Sequence, residues 1–436
     1  MLFDKTFKNI KRIRDVIRIL VKYGFEEVVF NTALIKLVPR SKRLSWRRQD
    51  RPVFEYSRWE RIRMIFEELG ATFIKLAQVL SDRPDILPAP LIKEFQKLQD
   101  RVPPFEYSKV EEIIQAETGK KIEDLFEWFD PQVIGSASIG QVHRARLKTG
   151  EEVVVKVQRP GVKELVETDL RMLTEVAKRG ESYFEKHGVT NVLDVVNTFK
   201  KTMQKEMDYN QEARSIEQFR IFYKKNQSFY VPRAYKNHTT EKVLVIEYAE
   251  GCKITDLKQI KEWKLDPVKL AENGMNIYLT QIFEHGFFHA DPHPGNIIIR
   301  KDGVICLIDF GMVGKLMKRD KYAIAGIFIG MAQQNPEKMA ANLRKLAFKH
   351  NITDRRIFEN DVNEIIEDFA SLDVSEGSMA DLIPRLQKLV YDYRMRLPGS
   401  IFLILRALAI LEGIGKTIHP SMNIYEFLKP YGFKLL

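Results

Sequence analysis

Apolar positions recur at helical spacing through the first quarter of the chain. Over residues 7–23, Ile10, Ile13, Val16, Ile17 and Leu20 fall on one face, which predicts an amphipathic helix. Helical character extends to residue 38, and residues 41–58 read as a basic, polar link. A second periodic run spans 58–80, where Ile62, Ile65, Phe66, Leu69, Phe73, Ile74, Leu76, Ala77 and Leu80 make a broad apolar face. It stops at Asp82-Arg83-Pro84-Asp85, residues with turn chemistry. Helices are expected at 88–99 and Tyr107–Thr118, with Pro103-Pro104 as a rigid break between them.

The period then shortens. Strands are expected at 133–134, Gly140–Leu147 and Glu152–Gln158, the last two joined by a hairpin through 148–151. Helical runs resume at 162–183 and 192–223, and Val243-Leu244-Val245-Ile246 forms a strand within 242–248. From Pro267 onward helix dominates except around two short motifs, and neither a tandem repeat nor a low-complexity tract is present.

Composition and charge add three points. With 44% hydrophobic and 30% charged residues, the 436-residue chain reads as globular, with room for two or three domains. Its two cysteines, Cys252 and Cys306, read as reduced thiols in a cytosolic environment rather than as a disulfide or metal site. The net charge of +11 is concentrated early: residues 1–61 carry sixteen Lys or Arg against seven Asp or Glu. On the 7–23 helix, Lys8, Lys11, Arg12, Arg14 and Arg18 beside the apolar face suit an anionic membrane surface, and a merely solvated basic face explains them comparably well. No secretory signal is expected, since Asp4 interrupts the amino terminus and no apolar core precedes a small-residue cleavage site. The late apolar stretch 401–411 is broken by Arg406 and is too short to span a bilayer. Nucleic-acid binding is not expected, because the basic amino-terminal region lacks a recognition motif.

The chemistry concentrates in Phe288-His289-Ala290-Asp291-Pro292-His293-Pro294-Gly295-Asn296 and Leu307-Ile308-Asp309-Phe310-Gly311. Asp291, Asn296 five residues on and Asp309 thirteen further have the spacing of a phosphoryl-transfer site. Asp291 can orient or deprotonate a hydroxyl acceptor. Asn296 and Asp309 offer the oxygen donors that Mg2+ or Mn2+ prefers. Lys301-Asp302-Gly303 reads as a hairpin turn that lets these two converge from a short ribbon. His289 is expected to brace the loop rather than do chemistry. His285, His289 and His293 are four apart, but Pro292 and Pro294 argue against a helical metal comb.

Upstream, Gly135-Ser136-Ala137-Ser138-Ile139-Gly140-Gln141-Val142 has the form of a phosphate loop, with Ala137 where a common kinase has its middle glycine; a small-residue surface turn is the competing reading. Lys156 follows Val142 by fourteen residues within Val153-Val154-Val155-Lys156-Val157, the place of a strand lysine that contacts nucleotide phosphates. Such a charge in an apolar strand asks for a partner, and Glu212 is preferred. Backbone groups of Glu247, Tyr248 and Ala249 would meet the adenine of ATP or ADP.

On these residues the chain resembles the UbiB/AarF/ADCK family of atypical kinase-like proteins, over residues 58–420. The most specific feature lies outside the kinase core: Lys75-Leu76-Ala77-Gln78 and Ser81-Asp82-Arg83-Pro84-Asp85 look like the family's lysine-to-glutamine motif, with Ala77 where glycine is usual. The resemblance implies an α+β, two-lobed protein-kinase-like fold with an N-terminal helical extension covering the active site and an extra helical insertion in the small lobe. The corresponding segments are a basic region 1–57, the extension 58–125, an N-lobe 126–250 with its insertion at 160–205, and a helical C-lobe 251–436. It further implies that Lys75 and Gln78 close over the site, with Lys75 meeting Glu206 or Asp208 of Glu206-Met207-Asp208. Taken alone, Glu206, Asp208 and Glu212 would read as a solvated helix face. No ordinary Ala-Pro-Glu segment follows Gly311. The implied function is a Mg2+-dependent, ATP-binding atypical kinase or ATPase that supports ubiquinone or other isoprenoid-lipid biosynthesis at the cytoplasmic face of a membrane. Isoprenoid or quinone-like lipids and lipid-biosynthetic proteins are the implied partners, self-association is open, and relatives continue into C-terminal membrane helices. A nucleotide-gated scaffold and a true protein kinase are the alternatives.

Overall fold

The computed structural model describes residues 2–32, 34, 56–81, 83, 86–98, 102–186, 192–371, 378–422, 424 and 427. Most of the 41–58 link, the residues Asp82, Pro84 and Asp85 of the expected turn, and the end of the first helical run at 35–38 lie outside them. The chain forms two compact units, Met1–Tyr209 with Thr240–Leu244, and Asn210–Thr239 with Val245–Leu436. This division cuts the chain differently from the expected segments, since residues 210–239 fall with the second unit.

In the first unit, helices Leu2–Lys22, Arg58–Leu69, Ala71–Ser81 and Ala89–Phe95 accompany the insertion helices Val162–Lys186 and Val192–Glu206. Val16, Ile17, Phe73, Leu80, Phe95, Phe199 and Met203 belong to one buried apolar cluster. The apolar stripe of the first helix is thus covered by protein, each such side chain contributing roughly 1.5–3 kcal/mol. Arg12, counted from the sequence among the membrane-facing charges, is also turned inward. Its Nε and Nη2 donate to Asp169 Oδ1 and Oδ2 at 2.7 and 2.9 Å, and Nη2 also donates to Leu69 O at 2.7 Å. Lys11, Arg18 and Lys22 remain exposed.

Two expected helices are each split in two. The 58–80 run begins on a Ser57–Glu60 capping box and ends at Gly70, whose φ of +88° only glycine adopts without strain. A continuous apolar face concealed that break. The 192–223 run divides because Met207 O accepts from Gln158 Nε2 at 3.0 Å and Tyr209 N donates to Glu241 O at 3.0 Å. These bonds take backbone groups out of the helical ladder, and a second helix, Tyr209–Tyr223, starts afresh.

The strands are β1 (Phe126–Ser136), β2 (Gly140–Leu147), β3 (Glu152–Gln158), β4 (Phe229–Tyr230), β5 (Val243–Glu247), β6 (Cys252–Lys253), β7 (Phe287–His289), β8 (Ile297–Ile299), β9 (Ile305–Leu307) and β10 (Val313–Lys315). One sheet has the order β1-β2-β3-β5. β1 is far longer than the expected 133–134, because register shifts at three places break the alternation by which a strand is recognised. In the second unit β4-β9-β8-β6 form a sheet and β7 pairs with β10. Helix Pro267–Thr280 runs into a π turn, Gln281–His285, just before β7. The chain continues through helices Lys318–Ala332, Pro336–Leu346, Arg355–Ser371, Met379–Asp392 and Gly399–Ile418. Among the described residues no helix is long and apolar enough to cross a membrane.

Candidate active site

The first unit carries the phosphate-loop residues. Gly135 and Ser136 end β1 opposite Val142 and Gln141, and Ala137 N donates to Gly140 O at 2.8 Å, closing a tight turn. Ala137 is exposed at its tip, whereas Ser138 is buried. Gly140 is required by packing: a Cβ there would lie 2.5 Å from Tyr209 Oη and 2.6 Å from Val157 O. Val142 pairs with Lys156 across β2 and β3. Val153, Val155 and Val157 face the core, so the alternation of β3 sends Lys156 to the opposite, half-buried face. His143 is structural, as expected. It is fully buried, Nδ1 donates to Asp130 O at 2.8 Å, Nε2 accepts from Gln141 Nε2 at 3.0 Å, and burial lowers its pKa.

Also within the first unit, Lys75 Nζ lies 3.2 Å from Glu206 Oε2, with side chains 15% and 10% exposed. Glu206 is one of the two acidic partners expected, and Asp208 is half-buried two residues on. Gln78 is half-buried one turn after Lys75, and its carbonyl accepts from Ser81 Oγ.

The second unit gathers Asp291, Asn296 and Asp309, the residues expected to serve metal and acceptor, around His289. Ile297 pairs with Leu307 and Ile308 N donates to Asn296 O at 2.9 Å, so Asn296 and Asp309 leave the open end of the β8–β9 hairpin side by side. His289 Nε2 donates to Asp309 O at 2.8 Å while Nδ1 accepts from Asp291 N at 3.3 Å. This is the neutral Nε2–H tautomer, and burial lowers its pKa further. One imidazole therefore holds both motif backbones. Asn296 Nδ2 donates to Asp291 O at 3.2 Å, which turns its amide oxygen away from that bond. Asp309 is exposed and sits at φ +64°, a left-handed conformation that Asp tolerates better than most residues. Phe310 is buried against Phe219 and His289. Its N–H donates to Glu212 Oε1 at 3.1 Å, and Glu212 is itself buried.

These donors fit Mg2+ or Mn2+. An exposed carboxylate and an amide oxygen are hard ligands, and Mg2+ commonly takes one or two protein oxygens and completes its shell with phosphates and water. Among the described residues no group of three or more His, Cys, Asp or Glu could hold a metal alone, and the three histidines are accounted for otherwise. His285 stacks on Phe222 at 4.2 Å, and His293 Nδ1 accepts from Gly295 N. Cys252 and Cys306 are free, and burial pushes the Cys306 thiol up to about 12.

Glu247 is anchored within the second unit. Tyr230 Oη donates to its carboxylate at 2.6 Å, and its N–H is already given to Arg233 O at 2.8 Å. Its carboxylate and N–H are thereby committed within the unit, and Tyr248 and Ala249 beside it are half-buried. Lys156 and Glu212 belong to different units and are placed here each in its own.

Sequence reasoning overlooked three residues. Arg406 Nη2 donates to Asp291 Oδ1 at 3.2 Å from helix Gly399–Ile418. Its signal was visible as the one cation in an otherwise apolar stretch, a charge that must find a partner. Gln281 Oε1 accepts from His289 N at 2.9 Å, and Tyr278 Oη donates to His289 O at 3.0 Å. Nothing in the local pattern marks either.

Comparison with known proteins identifies the family. Residues 97–343 match the ABC1 atypical kinase-like domain and residues 362–423 match the UbiB helical domain. A Pseudomonas fluorescens protein named probable protein kinase UbiB is 33% identical over 427 residues, covering 97% of this chain and 80% of that one. An uncharacterized Synechocystis protein, sll1770, is 35% identical over 385 residues; the match takes in 87% of this chain and 65% of the relative's length. Among solved structures, the complex of Rv3197 with erythromycin from Mycobacterium tuberculosis aligns with a TM-score of 0.54 at 24% identity, over 82% of this chain and 91% of that one. That likeness shows the α+β, two-lobed kinase-like fold with helical insertions and extensions.

Proposed function

The chain belongs to the UbiB/ABC1 family of atypical kinases, and from that premise we propose that it is a Mg2+-dependent ATP-binding kinase or ATPase supporting ubiquinone or other isoprenoid-lipid biosynthesis at a membrane. The observation that carries this reading is the His289 brace, which holds Asp291 and Asp309 to one ring. Lys156 takes the α and β phosphates beside the Gly135–Gly140 turn, ATP being the nucleotide and ADP the product. Asn296 and Asp309 would hold Mg2+, which when bound neutralises charge on the transferring phosphate. Asp291 orients a hydroxyl or a water for in-line attack. The acceptor oxygen bonds to the terminal phosphorus as the bond to the bridging oxygen breaks, ADP leaves, and the acceptor proton passes to Asp291. Arg406 holds that carboxylate in position. Exposed Lys11, Arg18 and Lys22 supply peripheral contact with anionic lipid, and the buried stripe beside them does not take part.

Phosphate release with anionic vesicles, compared between the parent chain and Asp309→Asn, tests the reading. Turnover should fall by at least about 100-fold, the scale of losing a transition-state charge partner. Undiminished turnover would sink it. The Lys75–Glu206 pair favours one alternative, a nucleotide-gated scaffold for lipid-biosynthetic proteins. Rescue of quinone production by a chain that binds ATP without turning it over would favour that scaffold.

A further inference from the structure

A second charged cavity lies in the second unit, on the helix that carries Glu212 but two turns further along. It measures about 520 Å³ and is lined by Arg220, Arg233, Lys236 and His238, with Glu217 as its single carboxylate. Such a volume is within the range of small-ligand pockets. Arg220, Arg233 and Lys236 make no ion pair among the described residues, and with Glu217 they leave a net charge of +2, taking His238 as neutral. Arg220 is half-buried, and its Nη1 is shut off from solvent without a hydrogen-bond partner. A desolvated guanidinium N–H left unmade costs about 1–3 kcal/mol or more, so this one is a donor in want of an acceptor. Arg233 lies over the Tyr235 ring at 5.3 Å, which orients its guanidinium plane. Local geometry also fixes the wall. Arg233 O and N are bonded to Glu247, and Ala234 bridges to Ile246.

We propose that this cavity binds a phosphoryl anion, a phosphate monoester or a diphosphate. Two guanidinium groups and an ammonium around a surplus of two positive charges match a dianion, and guanidinium forks suit tetrahedral oxyanions. Glu212, whose carboxylate holds Phe310 N, lies about 12 Å back along the same helix, at 1.5 Å per residue. The site is therefore separate from Asn296 and Asp309, and its helix also carries the Glu212 that holds Phe310 N next to Asp309. Its existence does not depend on the proposed activity.

The test is calorimetric titration of the whole chain with inorganic pyrophosphate, matched for ionic strength with chloride, beside a flotation arm using vesicles that contain phosphatidic acid. The surface variants Arg233→Gln and Lys236→Gln should each weaken binding about tenfold, a loss of one charge-assisted contact. Arg220→Gln should do so more strongly if it folds. Lys156→Met should retain the affinity, because the cavity is not the phosphate loop. Binding of soluble pyrophosphate identifies a free anion as ligand. If only vesicles bind, and Arg233→Gln and Lys236→Gln abolish it, a lipid headgroup is the source and the proposal stands. Absence of binding in both arms would overturn it, as would a loss that tracks Lys156→Met alone.

Discussion

Acidification from pH 7.5 to 5.5 is expected to weaken the second unit through His289. Both ring nitrogens are spent in the neutral form, Nε2 donating to Asp309 O and Nδ1 accepting from Asp291 N, and the ring is wholly buried. Burial, the largest cause, lowers the folded pKa below the unfolded value near 6.5. Below about 6.5 the unfolded imidazole takes a proton that the folded one refuses. Stability therefore falls with pH from that point and levels off only at the folded pKa. For one such histidine the loss at pH 5.5 cannot exceed RT ln(1 + 10), about 1.4 kcal/mol, the limit for a folded ring that stays neutral there. Protonation of the folded ring would set an Nδ1–H against the Asp291 N–H, two donors facing each other. The Asp291 loop should loosen only as pH falls to the lowered pKa of the folded ring, so turnover should decline below the window in which stability is lost.

Urea unfolding at pH 7.5, 6.5 and 5.5, followed by fluorescence in chains that keep Trp263 of the second unit as their one tryptophan, measures the slope. His289→Asn will be less stable at every pH, since it loses two bonds, but it should lose less than the parent between pH 7.5 and 5.5, by up to about 1.4 kcal/mol. His285, half-buried and also lowered by burial, contributes a smaller common slope to both chains. Equal losses in parent and variant would refute the assignment of a neutral, bracing His289.

Arg406→Gln is expected to lower kcat about 10- to 100-fold with nucleotide affinity unchanged, the value of one charge-assisted bond to Asp291, and Arg406→Lys should recover part of it. Steady-state kinetics separates this from a folding defect. Arg12→Met strands the buried Asp169 carboxylate and should cost the first unit about 3–5 kcal/mol in denaturant unfolding, whereas Arg12→Met with Asp169→Leu should regain most of it. Gly140→Ala should cost about 1–3 kcal/mol, and Tyr209→Phe should fail to rescue it, because Val157 O still obstructs the new methyl group.

What could be read in advance follows from how local each arrangement is. Asn296 and Asp309 were legible because one three-residue-strand hairpin sets their spacing, with its turn residues between them, and Asp291 lies only five residues before Asn296. Lys156 was legible because a period-2 strand states which face a charge must take. The helix breaks at Gly70 and Met207 were concealed, since an apolar face continues across a change of direction and only the backbone partners reveal it.

Amphipathicity also left open what would cover an apolar face. The pattern of residues 7–23 is the same for a helix lying on lipid and for one docked on protein, and only Asp169, distant in sequence, decides that Arg12 faces inward. Helix Gly399–Ile418 posed that problem in reverse. Its apolar stretch with one arginine suggested a failed membrane span, and the arginine proves to meet Asp291 from 115 residues away. A lone cation in an apolar helix is therefore better treated as a search for a buried or half-buried anion. In this chain that search leads to Asp291, in the candidate active site.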